Sequence, residues 1–392
     1  MKKGRFCICF ITIVLITYKL SFGQPVPAAE SLGSYLPLLK GKKVGLVVNQ
    51  TSLVNGEHLL DVLLKNKINV IKIFGPEHGF RGDADAGEKV DNTTDTKTGL
   101  PVISLYGKNK KPFPDQMKDI EVVIFDIQDV GVRFYTYIST LHYVMESCAE
   151  NNIPLVVLDR PNPNGMYVDG PVLDTALKSF VGMHPIPIVY GLTMGELANM
   201  INGEGWLKNK IKCNLKVIKC NGYKHSCTYD LPVKPSPNLP NSLSIALYPS
   251  LCLFEGTNVS VARGTTFPFQ AIGFPDSTYG GFYFIPKSIV GMAKDPMHNG
   301  KKCYGVDLRN QKPSYQFTLS FVIDFYNKTT DKEKYFNNFF NKLAGNKTLI
   351  EQIKSGMSEA DIKATWQPQL ENFKGLRQKY LLYPDSIKVV KK

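Results

Sequence analysis

The chain has 392 residues, 43% hydrophobic, 11% aromatic and 21% charged, a balance that suits a folded protein long enough for two domains. It excludes a disordered chain, a coiled coil and a disulfide-stapled mini-protein, and the single long apolar run excludes a polytopic membrane protein. The formal net charge of +13 raises nucleic acid, an anionic surface or an acidic substrate as partners.

The first 23 residues read as a secretory signal peptide. Met1-Lys2-Lys3-Gly4-Arg5 is basic, residues 6–17 are apolar, and Ser21-Phe22-Gly23 offers the small residues that a signal peptidase reads. The apolar stretch is too short to span a bilayer comfortably, so no stable membrane insertion is expected after cleavage. The chain is expected to be exported, to the periplasm or outside the cell. Losing Lys2, Lys3, Arg5 and Lys19 lowers the charge to +9. Six cysteines remain, and Cys213, Cys220 and Cys227 lie seven apart, which is not a zinc-ligand spacing. At most one or two disulfides are expected, with Cys148 as a buried small hydrophobe.

From Lys43 onward, apolar runs alternate with helical periodicity. Lys43 to Val48 is expected to form a first strand, and Leu59, Leu60, Val62, Leu63 and Leu64 follow at helical spacing. Further strands are expected at 70–74, 102–105, 122–125, 155–158 and 187–190, and a helix at 139–149. Thr193 with Glu196 makes a capping box for another helix. Continuous β-branched runs between helices predict a Rossmann-like, mainly parallel sheet with helices on both faces. No Gly-x-Gly-x-x-Gly follows the first strand, so no dinucleotide cofactor is expected. Pro232, Pro235, Pro237 and Pro240 read as a linker. Beyond it a smaller α+β auxiliary domain is expected, with a strand at 316–323, helices near 335–343 and 349–355, and Ser358 capping a last one. The expected organisation is therefore a signal peptide at 1–23, a catalytic domain at 24–240 and an auxiliary domain at 241–392.

In a parallel sheet the strand ends share one edge, where ligands bind. The segments that follow the strands there are Asn49-Gln50-Thr51, Gly75 to Gly82, Asp126 to Tyr137, and Asp159 to Gly165. Glu77 is the leading acid: it sits in a glycine-bracketed loop, and apolar walls such as Phe74 and Phe80 would raise its pKa toward general-acid use. Asp126 and Asp129 are weaker acid candidates. Tyr135 and Tyr137 suit stacking on a sugar ring or hydrogen bonding. Arg81, Arg133, Arg160 and Arg263 are candidate anion binders. His78 invites a metal, but the scattered histidines make no ligand set, and none is expected. No Gly-x-Ser-x-Gly elbow supports a serine nucleophile. The lysines between 208 and 224 alternate with strand residues and suggest a solvated face, not nucleic acid.

These loops resemble the exo-β-N-acetylmuramidase (NamZ-like) family. The matching pieces are the strand end at Val47 to Thr51, Gly75 to Gly82, Asp126 to Tyr137, Asp159 to Gly165, Gly191 to Ala198, Pro235 to Pro240 and Glu255 to Thr265. The resemblance implies a Rossmann-like catalytic domain and an auxiliary domain with the active site in the cleft between them. It also implies release of N-acetylmuramic acid from the non-reducing ends of peptidoglycan fragments, with the favoured catalytic carboxylate falling on Glu77. Asn49, His78, Arg81, Gln128, Arg133, Tyr135, Asp159, Arg160, Asn162, Asn164 and Arg263 are the candidate substrate-binding residues. An arginine among Arg81, Arg133 and Arg263 suits the lactyl carboxylate of that sugar. Asp126, Asp129, Tyr137 and the substrate's own acetamido group remain open as nucleophile. A non-catalytic glycan-binding protein and a hydrolase of wall amides or esters are the alternatives.

Overall fold

β1 (Lys43–Val48) lies inside the sheet because it is apolar on both sides. Val47 packs into one layer, while Val44, Leu46 and Val48 pack into the other. The computed structural model describes residues 24–77, 79–80 and 92–387; the expected signal peptide lies outside them. β2 (Leu53–Val54) and β3 (Glu57–His58) make a short ribbon. β4 (Asn69–Gly75), β5 (Thr93–Thr94), β6 (Pro101–Ser104), β7 (Val122–Asp126), β8 (Leu155–Leu158) and β9 (Leu215–Ile218) complete the main sheet. Among the described residues its order is β5-β6-β4-β1-β7-β8-β9, parallel except for the edge strand β5. The winding reverses between β1 and β7, which makes that junction the topological switch point.

Both faces are covered, as the continuous apolar runs require. Helices Leu32–Leu39 and Leu59–Lys65 bury Tyr35, Leu39, Leu59, Leu60 and Leu63 on one side. Helices Tyr137–Glu150 and Met194–Gly203 cover the other, and the second begins with the expected capping box of Thr193 and Glu196. Residues 187–190 do not join the sheet, contrary to expectation. Val189 makes isolated bridges to Val132 and Asp169, and Pro185 and Pro187 lack the N–H donors that a ladder needs. The last strand, β9, falls instead within the lysine-alternating stretch.

The second half holds β10 (Ala271–Phe274), β11 (Phe282–Phe284) and β12 (Cys303–Asp307) in an antiparallel sheet of order β10-β12-β11. Helices Ser320–Lys328, Phe340–Ala344, Leu349–Lys354 and Glu359–Arg377 follow it in the chain, the last capped by Ser358 as expected. The expected strand at 316–323 is corrected to a helical start. Leu319, Val322, Phe325 and Tyr326 are buried at helical spacing, which outweighs the β-branched composition. One apolar cluster runs from Val132 and Leu197 to Phe254, Phe340 and Trp366, so the two halves share a core. All six cysteines among the described residues are free thiols, and Cys148 is wholly buried. Among these residues no helix is long and apolar enough to cross a membrane.

Candidate active site

Glu77 reaches the open end of the sheet on the loop that leaves β4. That loop turns back at once: a Cβ on Gly75 would lie 3.0 Å from the Phe80 backbone nitrogen, so glycine permits the close return. The Glu77 carboxylate accepts a hydrogen bond of 2.6 Å from the Thr136 hydroxyl, one residue before helix Tyr137–Glu150. The Tyr106 phenol, two residues past β6, bonds the same carboxylate. Burial and the neighbouring Glu77 charge both push the Tyr106 phenol well above its ordinary range. Three loops of the sheet edge thus fix one carboxylate.

Two tyrosines form the floor beside it. Tyr135 and Tyr137 meet edge to face at 4.8 Å, and both hydroxyls donate to the Pro235 carbonyl, at 2.7 and 3.3 Å. Gln50 adds a third donor to that carbonyl at 3.2 Å. The proline-rich stretch is therefore no free linker: Ser236, Asn238 and Leu239 are buried, and the segment is tied to the tips of β1 and β7. Burial and the Glu77 charge hold the Tyr137 phenol far above its normal range, hence protonated at neutral pH.

The opposite wall comes from the second half. Tyr248, Glu255, Arg263 and residues 292–297 line, together with Glu77, Tyr106 and residues 134–137, a cleft of about 750 Å³. Arg263 binds Glu255 at 2.6 Å and lies over the Phe269 ring. Lys110 and Phe180 close the rim on the first side, with the ammonium 4.3 Å from the ring centre. A glutamate held by Thr136 and Tyr106, an ion pair in the same cleft and aromatic walls form a site suited to a polar, ring-shaped substrate.

Of the residues singled out from the sequence, Glu77, Tyr135, Tyr137 and Arg263 line this cleft. Several others are consumed beneath it. Asp126 takes both arms of Arg160, at 2.6 and 2.8 Å, and Arg160 also reaches the Leu53 carbonyl. Arg133 is fully buried and donates to the carbonyls of Pro171, Ile186, Leu343 and Ala344, joining the sheet edge to helix Phe340–Ala344. Asp159 accepts from Thr193, Gly195 and Tyr383, and burial raises its pKa to about 6. Gln128, Asn162 and Asn164 bond backbone carbonyls of neighbouring loops, and Asn49 holds Thr51. The structure therefore does not bring Asp126, Arg133 or Arg160 to the cleft: each guanidinium or carboxylate is bonded inside the scaffold. Asp129 is likewise buried against Tyr190 and the Gly131 amide. His78 and Arg81 lie outside the described residues. Sequence reading missed Tyr106, Lys110, Thr136, Phe180 and Glu255 as site residues. Applying the strand-tip rule to the short strand β6 would have found Tyr106.

Comparison with known proteins gives family and fold similarities. The N-terminal family model of exo-β-N-acetylmuramidase NamZ matches residues 44–243, and the C-terminal model matches residues 246–383. The peptidoglycan β-N-acetylmuramidase NamZ of Bacillus subtilis (strain 168) is 40% identical over 377 residues, covering 90% of this chain and 89% of its own. Two crystal structures of DUF1343 family proteins from Bacteroides fragilis NCTC 9343 superpose closely. One has a TM-score of 0.87 at 46% identity, covering 93% of this chain and 100% of that one. The other has a TM-score of 0.78 at 31% identity, with coverage of 92% and 99%.

Proposed function

The chain belongs to the exo-β-N-acetylmuramidase NamZ family, and on that premise we propose that it releases N-acetylmuramic acid from the non-reducing ends of peptidoglycan fragments, with Glu77 as general acid and base. The observation that carries the role of Glu77 is its placement: a strand-tip carboxyl group fixed by Thr136 and Tyr106 in a cleft lined by both halves of the chain. In the proposed reaction Glu77 gives its proton to the glycosidic oxygen as the bond to the anomeric carbon breaks. The remaining fragment leaves as an alcohol, and water supplies the hydroxyl of the released sugar. Positive charge that builds on the sugar needs a nearby acceptor of electron density. Asp126 and Asp129 are sequestered, and Tyr137 carries its proton, so Glu255 across the cleft and the substrate's acetamido oxygen are the groups suited to that task.

The decisive measurement is digestion of muropeptides of known structure with the purified chain, followed by mass spectrometry. Free N-acetylmuramic acid is the expected product. Cleaved amide or ester bonds with intact glycan would point to the other hydrolase reading, and binding without any product to a glycan-binding protein. We also propose export to the periplasm or beyond, in keeping with turnover of wall sugars. Its support is the basic start, the apolar run and the small residues at 21–23. N-terminal sequencing of protein recovered from the envelope or medium tests it; an intact Met1 would refute cleavage.

A further inference from the structure

N-acetylmuramic acid differs from N-acetylglucosamine by a lactyl ether that ends in a carboxylate, so a site that prefers it needs a cation for that group. Three cations line the cleft among the described residues: Lys110, Lys294 and Arg263. Arg263, an expected anion binder, already spends its guanidinium on Glu255 at 2.6 Å. Lys294 has a partner of its own. Arg133 and Arg160 are bonded inside the scaffold. Lys110 differs from all of these, since its ammonium rests on the Phe180 ring, 4.3 Å from the centre, and makes no ion pair among the described residues.

We infer that Lys110, seated on Phe180, is the residue that recognises the lactyl carboxylate and so selects muramic acid over glucosamine. This deepens the muramidase reading above and rests on it. The platform is rigid: the Phe180 carbonyl accepts from Ser139 at 2.7 Å, and its ring stacks on Tyr143 at an interplanar angle of 15°. Both partners belong to helix Tyr137–Glu150, whose first residue is part of the floor beside Glu77. A ring under one side of the ammonium restrains a side chain that otherwise loses much rotamer freedom on binding. The remaining N–H donors are left for a carboxylate, which lysine meets as a point charge. Lys110 also lies four residues after Tyr106, so one loop both fixes the acid and carries the specificity cation.

The test uses the full-length chain carrying Glu77→Gln, which prevents turnover, and calorimetric titration with free N-acetylmuramic acid and free N-acetylglucosamine. The expected result is tighter binding of the muramic acid. Adding Lys110→Met weakens that binding about tenfold, leaves the glucosamine affinity within about twofold, and Lys110→Arg restores most of the preference. Rising salt narrows the preference in the parent and has no such effect in Lys110→Met. Equal loss for both sugars, or no loss for either, overturns the inference alone, because a merely structural lysine does not discriminate between them. If the Glu77→Gln chain binds neither sugar, the muramidase reading falls and this inference with it.

Discussion

Two sets of polar residues share the carboxyl edge of the same sheet, and their surroundings differ completely. Around β7 and β8, Asp126, Arg160, Asp159 and Arg133 are buried and bonded to carbonyls, hydroxyls or each other. Around β4 and β6, Glu77, Tyr106 and Lys110 are only partly buried and face an open cleft. Residue type does not distinguish the sets; burial does. A buried charge must find its partners within the fold, whereas a group meant for a substrate stays open to the cleft.

The comparison breaks most sharply at Glu77. Replacing it with Gln removes the transferable proton while keeping the acceptor that Thr136 uses. The turnover number on a chromogenic N-acetylmuramic acid β-glycoside is expected to fall about 10²–10⁴-fold, with the melting temperature nearly unchanged. Full activity in that variant would exclude Glu77 as the acid. The opposite signature is expected at Asp126. Asp126→Asn leaves the Arg160 guanidinium buried without its counter-charge, a change that costs about 3–5 kcal/mol when one member of a buried pair is lost. Urea unfolding should show that loss, while turnover per folded molecule stays near normal. A large fall in turnover without destabilisation would move Asp126 from scaffold to chemistry.

How much of this was legible follows the same division. The sheet was legible because β1, β7 and β8 are continuous apolar runs, as strands buried on both faces tend to be. The cleft position of Glu77 was legible because its loop leaves a strand at the carboxyl edge of a parallel sheet. The roles of Arg133 and Arg160 were not. A guanidinium in a loop looks the same whether it awaits a substrate or joins two segments, and the Leu343 and Ala344 carbonyls that hold Arg133 lie some 210 residues away in the chain. Lys110 was invisible for the converse reason. It stands among other lysines, and only its seat on Phe180 from a distant loop sets it apart. Contacts between distant segments, not local pattern, decide these assignments.

Asp129 tests the scaffold set through pH. Burial raises its pKa from 3.8 to about 6, against the hydrogen bonds from Tyr190 and Gly131 that favour the anion. The folded state therefore holds this proton more tightly than the unfolded chain does. Its contribution is most favourable below about pH 4 and is lost as pH rises through about 6, by on the order of 2–3 kcal/mol. Asp129→Asn keeps an oxygen for Tyr190 and the Gly131 amide, and places its nitrogen at the Oδ1 position, which has no protein partner. Urea midpoints measured from pH 4 to 7 should show this falling contribution in the parent and not in the variant. Identical pH profiles would mean that Asp129 is not protonated in the fold.

Tyr106 should give the smallest effect, and it tests whether the cleft set acts through position. Tyr106→Phe keeps the ring that meets Phe180 at 6.2 Å and removes only the hydroxyl that bonds Glu77. Thr136 still holds Oε2 at 2.6 Å, so the carboxylate loses one restraint and is not released. A hydrogen bond to a charged group contributes about 1.5–3 kcal/mol, and loss of part of that from transition-state alignment lowers the turnover number about three- to tenfold. KM should change little, because the ring that lines the cleft is intact. Combined with Thr136→Val, the loss should exceed the product of the two single effects, since the carboxyl group would then lose both of these hydroxyls at once. Effects that simply multiply would show that the two hydroxyls act independently and do not jointly restrain Glu77.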